Sequence, residues 1–198
     1  DNIDELSGDW DLIICADGGG RHALMLRIRP HILLGDFDSL SDNEREAIMA
    51  PNVMTFPTDK DKTDAHLAVE EALRRGASHI TLAGALGGRL DHTLANIALL
   101  RLIHRQGATS LATDGHQTVY YVTRQLSLSG FPGQQLSVLP LTPQVGGLTL
   151  GGLRWPLRSA LVKRGDTRTM SNEFVGGPAT VQLTHGEVLV IVSHQQMR

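Results

Sequence analysis

The sequence predicts an α/β fold in two parts: an N-terminal parallel-sheet α/β/α domain followed by a C-terminal antiparallel β-sandwich domain. Up to about Asp114, short apolar runs alternate with segments of helical periodicity, which is typical of parallel strands joined by helices. After Gly115 this periodicity disappears, and glycine-rich turns separate short strand-like runs. We therefore predict domains at residues 1–116 and 117–198.

Five apolar runs in the first part each end at an aspartate or a glycine cluster, and we interpret them as parallel strands. The runs are residues 12–16, 32–35, 53–56, 80–83 and 110–113. Ligands of open α/β sheets bind at the carboxyl ends of the strands, so we expect the polar groups that follow the runs to share one edge. Like charges gathered there need a cation, which favours a divalent metal and a phosphate that it carries.

Local signals delimit the helices and the later strands. Ser41 and Glu44 have the spacing of a capping box, which predicts a helix that ends near Met49. Apolar spacing predicts two more helices, over about residues 64–75 and 91–105. In the second part we predict strands at residues 118–124, 134–139, 148–150, 160–163, 179–183 and 188–192.

Composition and charge weigh against several classes of protein. The chain is 41% hydrophobic with a net charge of −3 and no long basic run, which argues against a nucleic-acid surface. No apolar stretch reaches the roughly 18 residues that span a membrane, and no signal peptide is visible. The single cysteine, Cys15, cannot form an internal disulfide, so we expect a reducing, cytoplasmic compartment.

Asp36 and Asp38 form the strongest chemical signal in the chain. They stand two apart just after an apolar run, where the chain leaves the pleat and both carboxylates can face one ion. Oxygen ligands of this kind suit Mg²⁺, which keeps waters and takes substrate phosphates as further ligands. The alternative is a local turn in which Asp38 or Ser39 bonds neighbouring amides.

A glycine cluster follows the first apolar run. After Asp17, Gly18 and Gly19 allow the backbone to approach a ligand closely, and the helix start behind them offers amides to an anion. The spacing matches neither the dinucleotide-binding fingerprint nor the P-loop. A plain strand-to-helix turn is the alternative interpretation.

Two further loops carry charge. Residues 59–64 alternate acids with Lys60 and Lys62, which suits metal and phosphate binding, with the lysines as point charges. A solvated helix-capping segment, with Thr63 or Asp61 as the N-cap residue, is the alternative interpretation. The glycine-rich loop 84–91 contains Arg89, whose guanidinium group suits a phosphate or nucleotide.

Together these motifs resemble those of the thiamine pyrophosphokinases. The matching segments, in the order seen in that family, are residues 16–19, 35–39, 59–64, 87–92 and 171–174. The resemblance covers nearly the whole chain, including the β-rich second half. It implies an enzyme that transfers the β,γ-diphosphate of ATP to the hydroxyl of thiamine, giving thiamine diphosphate and AMP with Mg²⁺. It also implies a homodimer whose active sites are shared between one subunit's α/β domain and its partner's β domain.

The resemblance implies roles position by position. The metal ligands are Asp36, Asp38, Asp17 and Asp64. The catalytic side chains are Asp38, Asp64 and Lys60. Residues that bind ATP and its phosphates are Asp17, Gly18, Gly19, Lys62, Thr63, Gly88, Arg89 and Asp91. The thiamine contacts are His92, Ser171, Asn172, Phe174 and Trp155, the last matching a frequent aromatic in the family. The sequence departs from the family at Gly20, where many relatives have Ala, and by lacking the usual opening strand that precedes the strand ending at Asp17.

Two other functions stay open. Asp36-x-Asp38 after a strand resembles the nucleophile pair of haloacid-dehalogenase-like phosphatases, although Gly35, Ser39 and a β-sandwich tail depart from that pattern. A non-enzymatic sensor of thiamine or a nucleotide is the second, but it would not need the complete acidic set. Release of AMP distinguishes the kinase from a phosphatase. The sequence also leaves open whether Asp38 or Asp64 acts as the base.

Overall fold

The computed structural model describes residues 9–194, which form two compact units divided between Thr109 and Ser110. The segment before Asp9, where the opening strand of the family is in question, lies outside the described residues. The functional boundary that the sequence predicts at residues 116–117 stays a prediction. Among the described residues, no helix has both the length and the apolar character to cross a membrane.

The first unit alternates strands and helices, as the sequence predicts. Its elements are β1 (Ile14–Ala16), α1 (Gly19–Leu26), β2 (Ile32–Gly35), α2 (Asp42–Ile48), β3 (Asn52–Thr55), α3 (Asp64–Arg74), β4 (His79–Ala83) and α4 (Leu90–Arg105). Strands β1, β2 and β3 form a parallel sheet in that order, with Ile14 beside Ile32 and Ile32 beside Asn52. Every residue of the central strand β2 is buried, so this strand anchors the unit.

Two apolar clusters pack the helices of this unit. One contains Cys15, Ala23, Leu33, Phe37, Leu40 and Ile48, contributed by β1, β2, the loop after β2, and helices α1 and α2. Burial raises the pKa of the Cys15 thiol to about 11, which keeps it neutral and unreactive. The other cluster, Val69, Leu99, Ile103 and Ala108, joins α3 to α4. The first cluster thereby holds α1 and α2 against β1, β2 and the loop that follows β2.

The second unit consists of antiparallel strands in two layers. Its strands are β5 (Thr109–Thr113), β6 (Gln117–Val122), β7 (Gln125–Gly130), β8 (Gln135–Pro140), β9 (Gln144–Gly151), β10 (Leu157–Lys163), β11 (Asn172–Glu173), β12 (Gly177–Gln182) and β13 (Val188–Ser193). One layer has the order β10-β9-β12-β7, and in the other β11, β8, β13, β6 and β5 are neighbours. Side chains from both layers form one apolar core, which confirms the sandwich.

The five runs do not form one parallel sheet, because the sheet of β1, β2 and β3 includes neither β4 nor β5. Strand β5 pairs antiparallel with β6, with Leu111 opposite Tyr120, and β4 lies outside the sheet of β1, β2 and β3. Asp114, which follows β5, accepts hydrogen bonds from the amides of His116 and Gln117 and so closes a turn. Among the described residues, therefore, only the ends of β1 and β2 place an aspartate each at the same edge of the parallel sheet.

Helix α3 carries a buried carboxylate that stabilises its C-terminal half. Glu71 is 6% exposed, and the Nε atoms of Arg74 and Arg75 lie 2.7 and 2.6 Å from its oxygens. Hydrogen bonds from Arg74 and then Arg75 lower the pKa of Glu71 to about 2. The unfolded chain has a pKa near 4.3 for this group. Stability from the ionised carboxylate is therefore present above about pH 4.3 and lost as the pH falls towards 2.

Glu71→Gln is expected to lower the melting temperature at pH 7 by roughly 2–6 °C, because the two arginines lose their buried partner. The difference from wild type should shrink as the pH falls from 5 to 3, since the unfolded wild-type chain then takes up a proton that native Glu71, with its lowered pKa, does not. Thermal melts at several pH values measure both effects. The exposed Glu46→Gln variant serves as the control, and equal melts of wild type and Glu71→Gln at pH 7 would contradict the assignment.

Candidate metal centre

Three carboxylates converge at the edge of the parallel sheet. Asp17 follows β1, Asp36 follows β2, and Asp64 is the first residue of α3. Each offers an oxygen atom, and these oxygens all lie within 4.8 Å of one another. We call Asp17, Asp36 and Asp64 the carboxylate group. Because β1 and β2 are parallel neighbours, their ends deliver the first two acids to the same place.

A glycine at the end of β2 permits the close approach of Asp17. Gly35 has a φ of 147°, and a Cβ atom added there would lie 3.1 Å from the Asp17 Cβ atom. The Asp17 amide donates to the Leu34 carbonyl at 2.8 Å, which continues the pairing of β1 and β2 beyond the last strand residues. A side chain at position 35 would crowd Asp17 and would need a backbone conformation that favours glycine, so Gly35 eases the close approach of the two strand ends.

Ser39 holds one oxygen of Asp17. Its hydroxyl donates to Asp17 Oδ2 at 2.6 Å. The Arg21 guanidinium donates to the Ser39 carbonyl and also pairs with Glu44 Oε1 at 2.7 Å. Glu44 in turn completes the capping box of α2 with Ser41, as the sequence predicts. Helices α1 and α2 thus fix the loop that carries Ser39.

The sequence does not indicate the contacts of Ser39 and Arg21. As a sequence feature, Ser39 indicates only a local turn. The available signal was a hydroxyl directly after the Asp36-x-Asp38 pair, but its partner, Asp17, is 22 positions away. Such a contact depends on the alignment of two strand ends and has no local pattern.

Lys60 lies inside the carboxylate group. Its Nζ atom is 2.9 Å from Asp36 Oδ2 and 3.1 Å from Asp64 Oδ1. The hydrogen bond from Lys60 is the main reason that the pKa of Asp36 is lowered. The hydrogen bond to Asp36 likewise raises the pKa of Lys60, with a further contribution from Asp64. Both partners are therefore ionised over the neutral range.

Two oxygens of the carboxylate group have no hydrogen-bond donor. They are Asp17 Oδ1 and Asp64 Oδ1, and both atoms are buried. Asp64 Oδ1 has the Lys60 ammonium nearby as an ion-pair partner, but the two groups are not aligned for a hydrogen bond. Buried carboxylate oxygens without donors are costly. Oxygen atoms in this arrangement fit a hard divalent cation.

Asp38 stands beside the carboxylate group and not in it. Its side chain is exposed, and its amide donates to Asp36 Oδ1 at 3.3 Å, so the local turn exists alongside the acidic cluster. Phe37, between the two acids, has a left-handed φ of 62°. The negative charge of Asp36 raises the pKa of Asp38, as do partial burial and the charge of Asp17. The expectation that Asp36 and Asp38 ligate the metal together stays a prediction.

The glycines after Asp17 form the start of α1. Gly18 is its N-cap residue and Gly19 its first residue. A Cβ atom at Gly18 would lie 3.2 Å from the Ser39 hydroxyl, whereas one at Gly19 would meet nothing within 4 Å. The space beside Gly19 is therefore open to a ligand, as the sequence predicts for a phosphate-facing glycine. That role stays a prediction.

Lys62 and Thr63 lie where α3 begins. Lys62 pairs with Glu70 at 2.7 Å, and the Thr63 hydroxyl caps α3 by accepting from the His66 amide at 3.2 Å. Both residues line a groove of about 330 Å³ between α3 and α4. The helix-cap interpretation of Thr63 is thus confirmed. A role of Lys62 or Thr63 toward phosphate stays a prediction.

The loop before α4 is held by its own charges. The Arg89 guanidinium and the Asp91 carboxylate are 2.6 Å apart, and both side chains are mostly exposed. Arg89 is the main cause of the lowered pKa of Asp91, which also accepts from the His92 amide at 3.0 Å. Gly88, with a φ of 65°, allows the turn that precedes them. The predicted contacts of Arg89, Asp91 and His92 with nucleotide or substrate stay predictions.

The second unit brings together Asn172 and Trp155. The Asn172 side chain accepts from the Trp155 amide at 3.0 Å and donates to the Trp155 carbonyl at 2.7 Å. Ser171 next to it is exposed and has a left-handed φ of 52°. Phe174 is 1% exposed and packs in the core against Gly130, whereas Trp155 is 51% exposed. Of the two aromatics, Trp155 is the one that offers a ring face.

Comparison with known proteins identifies similar chains along the full length. A family model described as thiamin pyrophosphokinase, catalytic domain, matches residues 3–111, and one described as its vitamin B1 binding domain matches residues 122–188. The chain is 31% identical to the thiamine pyrophosphokinase of Bacillus subtilis (strain 168) over 206 residues, or 96% of this chain and 92% of that protein.

Solved structures show the same similarity. The crystal structure of thiamine pyrophosphokinase from Bacillus subtilis has a TM-score of 0.89 at 27% identity, covering 98% of this chain and 93% of that one. A thiamin pyrophosphokinase family protein from Enterococcus faecalis has a TM-score of 0.80 at 31% identity, covering 92% and 88%. These structures share the α/β unit and the β-sandwich described above.

Ser39→Ala is expected to weaken the binding of Mn²⁺ by roughly tenfold, because Asp17 loses the hydroxyl that orients it. Ser39→Thr keeps a hydroxyl group and should restore most of the affinity. Calorimetric titration of each variant with Mn²⁺ measures the effect. Equal Mn²⁺ affinities for Ser39→Ala and wild type would show that the Ser39 hydroxyl does not position a metal ligand.

Proposed function

The chain belongs to the thiamin pyrophosphokinase family, and we propose that it carries out its reaction at a magnesium centre formed by Asp17, Asp36 and Asp64. It is a thiamine diphosphokinase, an enzyme that forms thiamine diphosphate from thiamine in an ATP-dependent reaction. The observation that carries the metal assignment is the convergence of carboxylate oxygens within 4.8 Å. Two of these oxygens are buried without a donor, and a cation would provide their partner.

Magnesium is the ion we propose because every ligand that the carboxylate group offers is a hard oxygen atom. Mg²⁺ is held in phosphate-transferring sites by one or two carboxylates, by waters and by the substrate phosphates. When bound, it supplies positive charge that stabilises the oxygens of the transferred diphosphate. The remaining chemistry belongs to the side chains of the chain itself.

Three positive side chains support a role in aligning the diphosphate of ATP, and one of them, Lys60, contacts the carboxylate group. Lys60 is enclosed by two of the acids. Lys62 and Arg89 pair with exposed carboxylates, at 2.7 and 2.6 Å respectively. Exposed ion pairs are weak, so these two cations can exchange their partners for phosphate oxygens. Charges held at the reacting phosphate offset the charge that develops during transfer.

Of the two acids that the sequence leaves open as the base, we propose Asp38. Asp64 is paired with Lys60 at 3.1 Å, whereas Asp38 is exposed and its pKa is raised by Asp36. A carboxylate with a raised pKa is a better proton acceptor. The thiamine hydroxyl would transfer its proton to Asp38 while its oxygen attacks the β-phosphorus of ATP. The bond to the α-phosphate oxygen then breaks, and AMP leaves.

The thiamine contacts that we propose are His92 of one subunit and, in a site shared across a dimer, Ser171, Asn172 and Trp155 of the other. Thiamine is a cationic aromatic, and such ligands bind well to an exposed indole face. Arg154 already lies over one face of the Trp155 ring, 4.8 Å from its centroid, which leaves the other face for a ligand. Phe174 contributes by packing beneath this segment.

We also propose a homodimer with shared active sites and a cytoplasmic location. The dimer rests on the resemblance of the motifs to those of the family. The proposed location rests on Cys15, which is the single cysteine of the sequence and is a buried free thiol. Proteins without disulfides are typical of reducing compartments such as the cytoplasm.

Asp36→Asn is expected to reduce AMP formation by roughly 10²-fold or more, because the amide removes a charged metal ligand. Chromatography of AMP and thiamine diphosphate, after incubation with ATP, Mg²⁺ and thiamine, measures the loss. The melting temperature should stay near that of wild type. Asp42→Asn is the control, since the Asp42 side chain is 96% exposed and should be dispensable. Wild-type turnover by Asp36→Asn would exclude Asp36 from the metal site.

Trp155→Ala is expected to raise the KM for thiamine by roughly tenfold, because the cation loses its aromatic face. Phe174→Ala is the matched contrast: a ring that is 1% exposed should cost about 3–5 kcal/mol of unfolding free energy when removed. Steady-state kinetics and urea denaturation separate the two effects. An unchanged thiamine KM in Trp155→Ala would rule out the proposed stacking.

A further inference from the structure

Lys60 supplies the positive charge inside the carboxylate group. Its Nζ atom lies 2.9 Å from Asp36 and 3.1 Å from Asp64, and the three side chains are only 14%, 12% and 20% exposed. Ion pairs shielded from solvent in this way are stronger than pairs on the surface. The ammonium is therefore the group that offsets the repulsion between these two acids.

The ammonium and a metal ion require the same oxygen atoms. Asp36 and Asp64 are two of the three acids whose oxygens converge, and Lys60 contacts both. A divalent ion that takes these oxygens meets the ammonium at the same place. Like charges at such short range repel strongly where solvent is largely excluded. Full ligation by both acids is therefore incompatible with the observed position of Lys60.

The fold makes Lys60 the member of this set that can move. Asp36 directly follows the buried strand β2, and Asp64 opens α3 behind the Thr63 cap. Lys60 lies in the loop between β3 and α3, and it carries its charge on a flexible four-carbon stem. A small rotation of that stem removes the ammonium without disturbing either carboxylate.

We propose that the Lys60 ammonium is an exchangeable counter-ion: it leaves Asp36 and Asp64 when a divalent cation binds, and it then pairs with a phosphate of the nucleotide. This inference rests on the proposed metal centre and adds an order of events to it. Binding of the cation releases a positive charge close to the phosphates. The cation and the phosphate ligand therefore strengthen each other's binding, which is a coupling between two sites.

Lys60→Met tests the exchange because it keeps most of the stem and removes the charge. Calorimetric titration with Mn²⁺ alone, without nucleotide, is expected to show binding that is roughly tenfold tighter than in wild type, since no ammonium competes. Lys62→Met is the matched control. Lys62 lies in the same loop but pairs with Glu70 at 2.7 Å, so its removal should change the Mn²⁺ affinity by less than about twofold.

A second titration tests the destination of the ammonium. Inorganic pyrophosphate, added at saturating Mn²⁺, is expected to bind Lys60→Met roughly tenfold more weakly than wild type, because one charged partner is missing. The same variant thus gains affinity for the metal and loses affinity for the phosphate. Equal or weaker Mn²⁺ binding by Lys60→Met overturns the exchange, and so does unchanged binding of pyrophosphate.

The same experiments distinguish this inference from the metal centre itself. Absence of Mn²⁺ binding by wild type, or unchanged binding by Asp36→Asn, contradicts the centre. A third outcome contradicts only the exchange: Asp36→Asn binds Mn²⁺ more weakly than wild type, whereas Lys60→Met binds Mn²⁺ as tightly as wild type. If Lys60→Met is unfolded in EDTA, recovery of a cooperative melt on adding Mn²⁺ supports the exchange. Failure to recover with Mn²⁺ shows that Lys60 is a structural residue and overturns it.

Discussion

Repulsion among Asp17, Asp36 and Asp64 is the constraint on which the α/β unit depends. Their oxygens are held within 4.8 Å by two parallel strands and a helix. Gly35 eases this approach, because a Cβ atom there would lie 3.1 Å from the Asp17 Cβ atom. The Lys60 ammonium offsets part of the charge and a divalent cation would offset more, so the arrangement is stable only when positive charge is supplied. A site that must hold a cation is well suited to carrying phosphate.

Much of the fold could be predicted from the sequence because its signals are local. The capping box of Ser41 and Glu44 lies within four consecutive residues, and the structure confirms it. Strand pairing is different, because the partner of a strand is determined by contacts between residues that are far apart in the sequence. The run that forms β5 is expected in the parallel sheet, but it lies outside the sheet of β1, β2 and β3 and pairs with β6. Strand β7 was missed because the turn before it, at residues 123–124, carries no glycine or proline.

The candidate site was predictable to a similar degree. Adjacent parallel strands bring Asp17 and Asp36 together, which follows from the order of the apolar runs. The displacement of Asp38 depends on the left-handed backbone of Phe37, for which the sequence has no signature. The burial of Phe174 likewise depends on Gly130, 44 positions earlier, whose missing side chain leaves room for the ring. Motif resemblance locates such residues but does not reveal which way their side chains face.

The position of the bound ion is the most direct test of the account. Anomalous diffraction from crystals of the wild-type protein containing Mn²⁺ would locate it without reference to activity. The account predicts a peak ligated by oxygens of Asp17, Asp36 and Asp64 at about 2.0–2.3 Å, with the Lys60 ammonium moved away from Asp36 and Asp64. A peak elsewhere, with Lys60 still paired to both acids, would contradict it.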